Sequence, residues 1–161
     1  EPDASGCGEI LVHGPTVMAG YFRQHQATAR ALSDGWLHTG DVGRLDAAGF
    51  LYVLDRRADL IVSGGENVYP AEVEAVLLAH PAVLEAAVYA RPDPDWGQQV
   101  VAAVILRAEC PVDGQDLRAW CKARLAGYKV PCVIEHVATL PRTASGKVRR
   151  HLLTAGAARV R

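Results

Sequence analysis

The chain has 161 residues, 50% of them hydrophobic and 22% charged, with a net charge of −1; this gives one ordinary globular domain or two small ones and excludes a disordered chain. The near-neutral charge excludes a broad basic field for nucleic acid or anionic lipid. The longest strongly apolar stretch, Val100 to Leu106, is far too short to span a bilayer.

In chain order, the first third reads as β-structure. Gly8 to Gly14 is a short strand between glycines, and Gln26 to Leu32 a short helix. Asp41 to Asp46 and Phe50 to Leu54 flank Ala47-Ala48-Gly49 and predict a hairpin with a short loop. The texture changes at Asp55-Arg-Arg-Ala-Asp59, a charged patch between apolar strands and the expected domain boundary. Leu60 to Ser63 and Asn67 to Tyr69, around Gly64-Gly65-Glu66, predict a second tight hairpin. Pro70 opens a helix at the position where a missing N–H costs nothing. Glu72 and Glu74 suit its positive end, Val73, Val76, Leu77 and His80 share one face, and His80-Pro81 closes it. Val83 to Ala90 and Val100 to Leu106 are strands, the second apolar on both faces and therefore central. Asp113 to Leu125 is a helix with Leu117, Trp120, Cys121 and Leu125 on one face. Val133 to Val137 is a strand and Val148 to Ala158 a final helix, with an Ala-rich tail from Ala155 expected to fray. After residue 59 the order predicts a small α+β domain with an antiparallel or mixed sheet and packed helices, preceded by a β-rich segment.

Cys7, Cys110, Cys121 and Cys132 show neither CxxC spacing nor companion histidines, and Glu1 to Gly8 lacks the charged-then-apolar opening of a signal peptide. These features predict structural thiols in a reducing cytoplasm and no metal site.

Four segments place reactive side chains in turns beside glycine. In Gly35-Trp-Leu-His-Thr-Gly-Asp41, the Asp41 carboxylate follows a glycine turn just before a strand and can accept both hydroxyls of a ribose; a turn-capping Asp is the structural alternative. Arg56, ending a strand at the boundary, can hold a ribose or phosphate oxygen, or be a plain surface arginine. In Ser63-Gly-Gly-Glu-Asn67 the paired glycines allow close approach of backbone to a ligand and equally suit a tight hairpin. In Pro141-Arg-Thr-Ala-Ser-Gly-Lys147-Val-Arg-Arg150, Lys147 follows a flexible Ser-Gly turn at the start of a helix. It can be delivered to a phosphate or carboxylate as a compact charge, or belong to a solvated basic run. The full GxxxxGK[ST] phosphate loop is absent.

In this order and spacing the four segments resemble the adenylate-forming superfamily: acyl-CoA synthetases, peptide-synthetase adenylation domains and luciferases. The resemblance also takes in Gly8-Glu-Ile, Gly20-Tyr-Phe, Asp95-Trp-Gly-Gln98 and Tyr128-Lys-Val-Pro131, so it covers essentially the whole chain. Within the superfamily the CoA ligases are most similar, and Leu54 to Pro70 resembles the o-succinylbenzoate–CoA ligases of menaquinone synthesis.

The resemblance implies a two-step reaction. An acid and ATP give an acyl-adenylate and pyrophosphate; the carboxy-terminal domain then rotates, and CoA attacks to give a thioester and AMP. By motif, Asp41 and Arg56 would hold the AMP ribose, and Lys147 would contact the acid carboxylate and α-phosphate oxygens. Gly64 and Gly65 would line the pantetheine tunnel, with Trp96, Tyr128 and Lys129 near CoA. Ala58 takes the hinge position, where the family commonly has Asp or Lys. ATP and CoA enter as substrates, and Mg2+ would accompany ATP without a ligand in this chain.

The phosphate loop and the aromatic adenine segment have no counterpart before Gly35. The expectation is therefore a carboxy-terminal fragment or separate subunit whose partner is an amino-terminal domain, inactive alone and with β-edges open to a second copy. Residues 1–55 would end the large domain, 56–58 form the hinge and 59–161 the mobile domain. Two other readings remain open: an adenylation domain that loads a carrier-protein thiol, and a stand-alone binding module without activity.

Overall fold

A computed structural model describes residues 6–155, and the chain divides after Ala58 into two compact units. The first is built on one antiparallel sheet. Strand β1 (Cys7–Val12), helix α1 (His25–Ala31) and the short β2 (Leu32–Ser33) lead into the long β3 (Trp36–Leu45), which pairs with β1, with β2 and with β4 (Leu51–Arg56). The β3–β4 turn is capped by Asp46, whose carboxylate accepts the N–H groups of Ala48 and Phe50, both at 2.9 Å. Asp41 lies inside β3 rather than before a strand, because Gly40 adopts φ +72° and the strand absorbs the kink as a bulge. A 3-10 turn, Arg57–Asp59, follows β4.

The second unit opens with the hairpin β5 (Ile61–Ser63) and β6 (Glu66–Val68), joined by Gly64 and Gly65 at φ +59° and +87°. Two left-handed residues in a two-residue connection match the twist of the flanking strands. Helix α2 (Pro70–Leu78) precedes a long antiparallel pair, β7 (Val83–Asp93) and β8 (Gly97–Leu106). Helix α3 (Gly114–Lys122) is capped by Asp113, whose side chain accepts the Asp116 N–H at 2.7 Å. It stops short of Leu125, which still packs against the core. Strand β9 (Val133–His136) pairs parallel to β8. The sheet is mixed, as the element order predicts, with β8 in the middle.

The alternation of β8 explains that central place. Val100, Ala102 and Val104 join Ile61, Val68, Val73, Leu77, Leu117 and Cys121 in one core. Val101 and Ala103 face the other way, into a second core with Tyr89, Val137, Leu140 and Leu153. The final helix α4 is only Arg150–Thr154. It begins later than the sequence suggests because Val148 is used in a β-bridge to Arg142, and Lys147 therefore sits in a loop instead of starting a helix. The frayed-tail expectation beyond Ala155 lies outside the described residues.

The four cysteines are free thiols, Cys7 and Cys121 buried and Cys110 and Cys132 exposed. No helix among the described residues is long and apolar enough to cross a membrane.

Candidate functional site

In the first unit the bulge at Gly40 and the antiparallel register bring Asp41 opposite Arg56. Arg56 Nε lies 3.2 Å from Asp41 Oδ1, with the arginine side chain 63% and the aspartate 33% exposed. Such a pair is worth little to stability, yet it presents an oxygen acceptor and a fork of donors side by side to solvent.

Glu9 supports this pair from behind, a role the sequence did not suggest. Its carboxylate accepts Gly40 N–H, His38 Nδ1 and Arg57 Nη1, each at 3.2 Å. The hydrogen bond with His38 leads in holding the Glu9 carboxyl below its ordinary range; the Gly40 N–H and the charges of His38 and Arg57 add to it, against the penalty of desolvation. Thr39 completes the support: its hydroxyl donates to the Ile10 carbonyl at 2.8 Å and accepts the Asp41 N–H at 3.0 Å.

In the second unit, Gly64, Gly65 and Trp96 come together. The Gly64 N–H donates to the Trp96 carbonyl at 3.0 Å, and the Val62 N–H to the Gln98 side-chain oxygen at 2.8 Å. A Cβ built at Gly64 would lie 2.5 Å from the Trp96 ring, so only glycine allows this approach. Trp96 itself sits in the β7–β8 turn, held by its N–H to Asp93, and remains 62% exposed. It thus packs on the glycine turn and keeps aromatic surface free. Tyr128 and Lys129 lie in a 3-10 turn, Gly127–Lys129, beside β6. The Lys129 ammonium is engaged by both oxygens of Glu72 at 2.8 Å.

Lys147 is exposed on the loop that the Arg142–Val148 bridge closes. The loop is tied by its own bonds: Thr143 N–H to the Lys147 carbonyl at 2.8 Å, Gly146 N–H to the Thr143 carbonyl at 2.9 Å, and Lys147 N–H to Thr143 Oγ1 at 3.1 Å. Gly146 takes φ +85°, which a side chain would strain. The Lys147 ammonium has no ion-pair partner among the described residues.

The loop attaches along the first half of β7 and the Trp96 turn at its far end. Arg142 of the loop pairs with Glu85, near the start of the strand, and Trp96 follows Asp93, its end. Eight residue-to-residue steps of extended chain lead from Glu85 to Asp93, about 26 Å at the usual strand rise. Ala58 lies in the 3-10 turn Arg57–Asp59. No group of three or more His, Cys, Asp or Glu among the described residues could hold a metal ion.

Comparison with known proteins agrees with the resemblance read from the motifs. Residues 72–147 match the AMP-binding enzyme C-terminal domain. The 2-succinylbenzoate–CoA ligase of Bacillus licheniformis is 56% identical over 146 residues, which cover 91% of this chain and 30% of that protein. Among solved structures, the o-succinylbenzoate CoA synthetase of Bacillus subtilis in complex with the acyl-adenylate intermediate superposes with a TM-score of 0.88. It is 52% identical and covers 95% of this chain and 31% of that one. The same enzyme in complex with ATP and magnesium ion gives 0.86 at 51% identity, with the same coverage. The chain thus spans about a third of the length of the relatives it matches. Residues 72–147 thus match the AMP-binding enzyme C-terminal domain, and the chain is similar, over part of their length, to adenylate-forming CoA ligases.

Proposed function

We propose that this chain is part of an acid–thiol ligase that turns a carboxylic acid, ATP and CoA into acyl-CoA, AMP and pyrophosphate, with 2-succinylbenzoate as the acid, and that residues 59–161 are its mobile domain. The carrying observation is the separation of two chemically distinct clusters along β7: a lone lysine on a loop held to the first half of the strand, a glycine turn with an exposed indole at its far end. One active centre can use both only in turn, after the body that bears them has rotated.

In the first half-reaction a carboxylate oxygen attacks the α-phosphorus of ATP and pyrophosphate leaves. Negative charge gathers on the phosphate oxygens, and Lys147 supplies a fixed positive charge at that moment. Asp41 accepts the ribose hydroxyls while Arg56 gives up part of its contact with Asp41 to donate to the nucleotide. Magnesium enters with ATP. Rotation about Arg56–Ala58 then withdraws Lys147. In the second half-reaction the CoA thiolate attacks the acyl carbon and AMP leaves. Gly64 and Gly65 line the path of the pantetheine arm, Trp96 stacks on the CoA adenine, and Lys129 exchanges Glu72 for a CoA phosphate. Ala58 lacks a hydrogen-bonding side chain, but a hinge needs permissive backbone angles more than a charge.

The test is product analysis with the intact enzyme. Given 2-succinylbenzoate, ATP and CoA it should release pyrophosphate and AMP in equal amounts with one thioester. The present chain alone should support no acid-dependent pyrophosphate exchange. Thioester with other acids and none with 2-succinylbenzoate would refute the substrate; release of ADP instead of AMP would refute the reaction.

A further inference from the structure

The Lys147 loop buries little of its own, and the five-residue α4 that follows is too short to be stable by itself. Something else must hold the loop in place. Two arginines, one on each side of it, reach the same strand.

Arg142, before the loop, donates to the Glu85 carboxylate of β7 and to the Gly146 carbonyl, the latter at 2.6 Å. Arg150, after the loop, donates from Nε to the Val88 carbonyl of β7 at 3.1 Å. Its Nη1 meets Asp59 at 2.9 Å and its Nη2 meets Glu74 of α2 at 2.9 and 3.0 Å. This second guanidinium is largely enclosed, 22% exposed, and Glu74 16%. Glu74 also accepts the Val88 N–H at 2.8 Å, so one carboxylate joins helix, strand and arginine. Asp59 ends the turn that contains Ala58. A guanidinium can satisfy acceptors in three directions at once; an ammonium on a flexible stem cannot do so with the same geometry.

We propose that Arg142 and Arg150 are positioning residues that clamp the Lys147 loop to β7, and that Arg150 ties the loop to Asp59, where the chain leaves the hinge. The lysine would then move with the hinge as one piece when the unit turns. This rests on the reading of Lys147 given above. Leu153, buried in the second core, is the competing anchor: were it sufficient, the arginines would only add general stability.

Arg142→Gln and Arg150→Lys test the clamp. In the full chain each should speed amide exchange at Gly146 and Lys147 by roughly tenfold or more, while Val101 and Ala103 in β8 stay protected. In the intact enzyme each should slow acyl-adenylate formation roughly tenfold to hundredfold and leave thioester formation from preformed adenylate within about twofold. Unchanged exchange in the loop overturns the proposal. Faster exchange throughout β8, or equal losses in both half-reactions, overturns it too, because the arginines then act on stability alone. Lys147→Ala runs alongside: if it spares adenylation, the catalytic reading has failed and the exchange result alone decides the clamp.

Discussion

At Gly64 a single missing methyl group decides what the neighbouring tryptophan can do. Gly64→Ala would put a Cβ within 2.5 Å of the Trp96 ring and force an L-residue to φ +59°. Both effects cost free energy, together about 1–3 kcal/mol. Adding Trp96→Ala should recover the steric part and leave the backbone part, so the two substitutions should be non-additive in chemical denaturation. Strict additivity would mean that the ring simply moves aside. The sequence showed the Gly64-Gly65 turn, because paired glycines between apolar strands carry a local signal. It could not show that the turn rests on Trp96, since that contact joins positions far apart in the chain. Glu9 and Arg150 were hidden for the same reason: each is one charged residue among many until the fold brings its partners together.

The β7–β8–β9 sheet carries the prediction at the scale of an element. The Tyr89 hydroxyl donates to Glu135 at 2.7 Å, and Arg91 donates to both, at 3.1 and 2.6 Å. Burial, then the bond and charge of Glu135, push the Tyr89 hydroxyl from 10.0 up to about 12. The folded pKa is raised, so the stabilisation is complete below pH 10 and is lost as pH rises through 12. The difference titration between the protein and Tyr89→Phe should therefore centre near pH 12, and Tyr89→Phe should flatten the fall in stability between pH 10 and 12. A midpoint near 10 would mean that the tyrosine is not held by this cluster. The sheet was largely legible. The continuous apolar run of β8 placed it in the centre, and both its faces are buried. The reach of β7 through Pro92 was not, because proline argues against a strand. It is tolerated here since β7 is an edge strand, where an absent N–H leaves no ladder bond broken on the open side. Asp41 and Lys147 were misjudged in complementary ways: a glycine turn proved to be a bulge within β3, and a basic helical start proved to be a bridged loop.

Across the whole molecule the two units differ in what they bury. Both core clusters lie after residue 59, while Phe22, Leu45, Phe50, Leu51 and Val53 of the first unit are exposed. Large apolar side chains left exposed in this number call for a covering partner. The chain alone should therefore bind an apolar dye and associate with rising concentration, with amides of residues 6–55 exchanging faster than those of β8. A monodisperse monomer with uniformly slow exchange would contradict this. Rotation of the second unit is what the proposed reaction needs, and Lys147 is where rotation and chemistry meet. Its charge is useful while carboxylate and phosphate are being joined and idle when a thiol meets the finished adenylate. The decisive measurement is to follow the two half-reactions separately in the intact enzyme carrying Lys147→Ala. Acyl-adenylate formation should fall by about two orders of magnitude or more, while thioester formation from synthetic adenylate and CoA stays near normal. Unimpaired adenylation, or equal loss in both halves, would contradict the account.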